Sequence, residues 1–116
     1  MYSHPALLRE LTLCADLLRR SGEAAWARVL LQTTDRLRKS GWTEAGRQVV
    51  LELFEQDPGI EAVSFGSEHG RWLKGPAAVE AANTALRARL DHIKALGAEP
   101  RVLPEPGPRK RSPDLA

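Results

Sequence analysis

Ser64, Ser67, Glu68 and His69 fall close together in the run VSFGSEHG. A hydroxyl, a carboxylate and an imidazole are the parts of an activated nucleophile, in which a base takes the hydroxyl proton and a third group orients that base. Adjacent residues of an extended segment point opposite ways, however, so Glu68 and His69 diverge unless a turn reorients them. The run reads as a polar turn, and no catalytic residue is assigned. His4, His69 and His92 are isolated from one another. They lack the one-turn spacing of a zinc pair, and no acid-rich calcium loop is present, so neither a metal nor another cofactor is expected. All three read as ordinary surface histidines. GSEHG also lacks the Lys-Ser/Thr that follows a phosphate-cradling loop.

Arg71-Trp72 carries a different kind of chemistry. Tryptophan and arginine are the residue types most enriched where one protein grips another. The pair lies in DPGIEAVSFGSEHGRWLKGP, residues 57–76, which holds four of the nine glycines of the chain. A non-repetitive, polar and aromatic segment on a regular scaffold is where binding is usually placed. Ile60, Val63 and Phe65 are strand-compatible, so a short β-hairpin and an ordered loop both fit the segment.

The scaffold that must carry this segment reads as helical. Leu7, Leu11, Cys14 and Leu18 recur at three- and four-residue steps over about residues 4–20, with Ser3 as cap, Pro5 in the first turn and Gly22 as a left-handed stop. Trp26, Val29, Leu30, Thr33 and Leu37 repeat the pattern over about 23–39, ending before Gly41. The short link between the two predicts an antiparallel hairpin. Thr43 caps a third helix over about 44–56, with Val49, Val50, Leu53 and Phe54 inside and Asp57-Pro58-Gly59 as its stop. Gly75-Pro76 opens a fourth, on which Val79, Ala82, Leu86, Leu90 and Ile93 trace one face to Leu96, with Gly97 as the stop. The fold class is therefore mainly α, a four-helix bundle-like single domain over 1–97 with a loop or short β-hairpin between the third and fourth helices. The stretch after Gly97 holds five of the eight prolines, so 98–116 reads as a disordered, basic tail.

Composition narrows function by exclusion. The 116 residues carry a net charge of +2, part of it in the tail's Arg109-Lys110-Arg111. The near-neutral body argues against a dedicated nucleic-acid binder. No window approaches a membrane span, and MYSHPALLRELTLC lacks the basic and apolar regions of a signal peptide, so a cytoplasmic location is expected. Cys14, the one cysteine, sits on an apolar face and reads as a small buried hydrophobe. Trp26 belongs to the core stripe. Trp42 and Trp72 both lie at segment junctions, where each either plugs the bundle or grips a partner.

The alternative to protein binding is a helix-turn-helix DNA-binding regulator. The second helix, the turn at Ser40-Gly41-Trp42 and the third helix have suitable lengths, with Arg47 and Gln48 toward base edges. Glu44, Glu52 and Glu55 put negative charge on that would-be recognition helix, which weighs against it.

LLRRSGEAAWARVL, followed at a distance by VVLELF, resembles small helical bacterial proteins of uncharacterised families, some of which act as immunity proteins beside polymorphic toxins. The residues that carry the resemblance are Leu17, Leu18, Gly22, Glu23, Trp26, Ala27 and Leu30, then Leu53 and Phe54. The resemblance implies a non-enzymatic protein that occludes a cognate toxin's active site. Under that expectation Glu68, His69, Arg71 and Trp72 contact the partner, and Glu44, Glu52 and Glu55 offer an acidic face to a basic groove. Self-association stays open.

Overall fold

The computed structural model describes residues 2–56 and 58–98. It is mainly helical: α1 spans Pro5–Arg20, α2 Ala24–Ser40, α3 Glu44–Glu55 and α4 Pro76–Gly97. Among the described residues none forms a strand. The segment between α3 and α4 is an ordered loop holding two single 3₁₀ turns, Ile60–Ala62 and Ser67–His69. Ile60 and Phe65 are buried in the core, so the apolar residues of the loop pack downward rather than alternating along a hairpin. No described helix is long and apolar enough to cross a membrane.

α1 packs against both α2 and α4, while α3 crosses the far ends of α2 and α4. Leu7, Leu11, Cys14 and Leu18 of α1 meet Leu30 and Leu37 of α2 and Leu86, Leu90 and Ile93 of α4 in one buried cluster. Each such leucine contributes on the order of 1.5–3 kcal/mol relative to staying exposed. Trp26 is only partly buried, packed against the edge of this cluster.

The α1–α2 turn follows from Gly22. Its φ of 96° is open to glycine alone at low cost, and it lets Glu23 N–H donate to Leu18 O at 2.7 Å while Gly22 N–H donates to Arg19 O at 3.3 Å. Both bonds satisfy carbonyls that the helix end would otherwise orphan.

Two capping expectations are corrected. α1 is capped by His4, not Ser3: His4 takes a left-handed conformation (φ 60°, ψ 68°), and its Nδ1 accepts from Leu7 N–H at 3.4 Å. Gly97, expected to stop α4 after Leu96, is itself the last helical residue, and Ala98 caps the helix. A Cβ there would come within 3.2 Å of Val50 Cγ1, so glycine at 97 serves the close approach of α3. Of the expected 98–116 tail, only Ala98 lies within the described residues.

Candidate functional site

Side chains of α4 and of the loop itself hold the loop in place. Asn83 of α4 clamps the Phe65 peptide from both sides: its Oδ1 accepts from Phe65 N–H at 2.7 Å, and its Nδ2 donates to Phe65 O at 3.0 Å. Arg87 donates to Glu61 O at 2.9 Å. His69 sits beneath the second 3₁₀ turn at 4% exposure, with Phe65 edge-on to its ring at 5.2 Å between centroids. Its Nδ1 accepts from Gly66 N–H at 3.0 Å, which places the ring proton on Nε2. Nε2 then donates to Glu23 Oε2 at 2.6 Å, tying the loop to the α1–α2 turn.

The backbone of His69 extends this anchoring outward. Its carbonyl accepts from Trp72 N–H at 3.0 Å and Leu73 N–H at 2.8 Å, so the buried ring and the next turn form one rigid unit. That unit delivers Trp72 to Gly22. A Cβ built on Gly22 would lie 2.4 Å from Trp72 Cε3, closer than any real contact, so the indole rests flat against bare backbone. The other side of the indole remains open, at 45% exposure, with the Arg71 guanidinium 6.0 Å from the ring centroid.

Two depressions flank this projection. A groove of about 640 Å³ runs between Leu17 of α1 with the capping Ser21, Ala81 and Ala85 of α4, and Trp72 with Leu73 of the loop. On the opposite side of Leu73, a cleft of about 620 Å³ is lined by Gly66, Ser67, Val79, Glu80, Asn83 and Thr84.

The sequence-predicted residues separate on this frame. Arg71 and Trp72 are exposed together. Glu68 is exposed beside them, and the 3₁₀ turn does bring its Oε2 to 3.8 Å from His69 Nδ1, although Gly66 N–H already occupies that nitrogen. His69 supports the surface from below and presents no ring to a partner. Glu44, Glu52 and Glu55 are exposed on α3, outside the loop. Glu44 pairs with Arg47 at 3.2 Å beside the C-terminus of α2, whereas Trp72 packs at its N-terminus. The length of α2 separates them by roughly 25 Å at 1.5 Å per residue.

Other expectations change as well. His4 and His69 are buried, and only His92 is an exposed histidine. Trp42 is fully buried, with the His4 ring edge-on at 5.1 Å and the Trp42 backbone N–H donated to Tyr2 O at 2.8 Å. Arg47, which the helix-turn-helix reading aims at base edges, keeps only 19% of its side chain exposed.

The sequence reading missed Asn83 and the structural role of Glu23, because each acts through a partner far along the chain. It also missed Glu10, a nearly buried carboxylate on α1 that accepts from Arg89 Nη1 at 2.9 and 3.1 Å and lies 3.2 Å from His92 Nδ1. A buried charge needs such partners to offset its lost hydration. Cys14 is close to the same pair, and burial pushes its thiol up to about 12; Arg89 opposes the shift and Glu10 adds to it. Cys14 is thus a core residue, as its spacing predicts. Among the described residues no three His, Cys, Asp or Glu side chains converge as a metal site would require.

No family model, characterised protein or solved structure matches the chain.

Proposed function

We propose that this chain is a non-enzymatic, cytoplasmic protein-binding protein, and most concretely an immunity protein that neutralises a bacterial toxin by covering its active site. The observation that carries the reading is Trp72. A large aromatic left 45% exposed, yet fixed by Gly22 on one face and by the His69 carbonyl through its backbone, is ready to bind without further ordering. Immobilised, half-open aromatics beside an arginine are the anchors that dominate protein interfaces, because their ordering entropy is already spent. The engagement of both His69 nitrogens supports binding over acid–base chemistry, since Ser67 finds no free lone pair there.

The test is affinity capture from the native bacterium with wild-type and Trp72→Ala baits, followed by co-expression of any one-to-one prey. The reading expects a prey that is lost with Trp72→Ala and that arrests growth unless the wild-type chain is present. Capture of the chain by itself alone, or a prey held equally by both baits, contradicts it.

A further inference from the structure

The groove beside Trp72 has a definite chemistry. Its floor is aliphatic, made by Leu17, Leu73, Ala82 and the exposed methyls of Ala81 and Ala85. Leu13, one turn earlier than Leu17 on α1, is also exposed and extends this apolar strip. The alanines keep the wall of α4 low, which lets another helix come close.

Positive charge gathers on the rim of this groove. Arg20 lines the groove, Arg71 stacks on the Trp72 ring, and Lys74 follows in the exposed loop. Asp16 is the nearest carboxylate on α1, and it is divided between Arg19 at 2.8 Å and Arg20 at 2.7 Å. Those two arginines hold Asp16 below the usual carboxylate range, so it remains an anion already paired. Arg71 and Lys74 form no ion pair among the described residues. Glu23 is turned under the loop to His69, Glu80 lines the cleft on the other side of Leu73, and Glu68 lies against Gly66 of that same cleft. The first turn of α4 contributes no acid.

We infer that this groove receives an acidic amphipathic helix of the partner protein, with apolar side chains laid over Leu17, Ala81 and Ala85 and carboxylates flanking them at Arg20, Arg71 and Lys74. An amphipathic helix in an apolar groove anchors through positions spaced at three and four residues. Arg71 and Lys74, which have no ion pair among the described residues, select the sign of its polar face and speed encounter. A nucleic acid would satisfy the cations and could stack a base on Trp72, but it would leave the aliphatic floor without a partner. The inference rests on the proposed partner-binding role of the Trp72 surface and adds the chemistry of the segment that binds there.

The experiment is a selection from a displayed library of random helical peptides of about four turns against the full-length protein. Selected peptides are then assayed by fluorescence anisotropy against wild type, the R71E/K74E variant and the A81E variant. All three altered side chains are exposed, so unchanged thermal melting verifies the fold. The inference expects enrichment of Asp and Glu beside apolar positions at helical spacing. It also expects at least about a tenfold loss of affinity in each variant and weakening with added salt. Enrichment of basic or uncharged peptides overturns it. So does no enrichment, insensitivity to A81E, tighter binding of a single-stranded oligothymidylate that competes with the peptides, or self-association through the groove. Because the selection needs no native partner, its failure alongside a Trp72-dependent capture would remove only the acidic-helix assignment. Its success without any capture would leave the groove chemistry standing and remove the neutralising role.

Discussion

Trp42 and Trp72 sit next to glycine turns at opposite ends of α2, and the protein treats them in opposite ways. Trp42 follows Gly41 and is fully buried, covered by the His4 ring, with its backbone N–H held by Tyr2 O. Trp72 lies across Gly22 and stays nearly half open. What differs is the chain that covers each. The N-terminal residues before α1 fold over the first tryptophan, whereas nothing among the described residues closes over the second. The loop that carries Trp72 is nonetheless firmly built, through Asn83, His69 and Glu23. One end of α2 is closed, and the other is rigid and open.

The largest break in this comparison comes from Trp42→Ala. Truncating a fully buried tryptophan costs about 3–5 kcal/mol, so denaturant unfolding should show a loss of that order or no folded protein at all. A loss no greater than that of Trp72→Ala would erase the distinction. His69→Ala comes next. It orphans Gly66 N–H and the Glu23 carboxylate, a loss of roughly 2–3 kcal/mol, and hydrogen exchange should quicken across 60–75 while the core of α1 keeps its protection. Uniform exchange throughout would mean that the loop is not a separate, ring-held unit. Gly22→Ala should cost about 1–3 kcal/mol, because a non-glycine residue is placed at positive φ. It should also lift the indole, read as a red shift of tryptophan emission; an unshifted spectrum would show that Trp72 does not rest on that backbone.

Cys14 marks the closed interior from another side. Its thiol is pushed up to about 12 when folded, above its ordinary value in the unfolded chain, so the folded state holds that proton more tightly. Stability contributed this way is full below the unfolded value near 8.5–9 and is lost as pH rises toward 12. Relative to Cys14→Ala, the wild type should therefore lose stability more steeply above pH 9, measured by urea unfolding. Parallel profiles would contradict the buried placement.

The helices were legible because apolar spacing, Thr43, Pro76 and Gly22 all state local rules that the tertiary structure respects. The loop was legible only as an interruption. Its strand-like letters Ile60, Val63 and Phe65 pair with no neighbouring strand, since side chains of Asn83 and Arg87 satisfy the backbone instead. Nothing local in the sequence distinguishes Trp42 from Trp72, because burial depends on Tyr2 and His4 in one case and on His69 in the other. His69 misled for a related reason: a histidine between glycines reads as surface, and its burial depends on Glu23, which lies 46 residues earlier. Glu44 looked like a companion of Arg71-Trp72 only in the absence of the length of α2 that parts them.

The most direct test of the open-end account is calorimetric titration of a captured partner into wild type and Trp72→Ala, with melting temperatures recorded on the same samples. The account predicts an affinity loss of about thirtyfold or more, the scale of an interface anchor at about 2 kcal/mol, with melting lowered by only a few degrees. Unchanged affinity, or a loss no larger than the fall in stability accounts for, would show that Trp72 is a packing residue like Trp42.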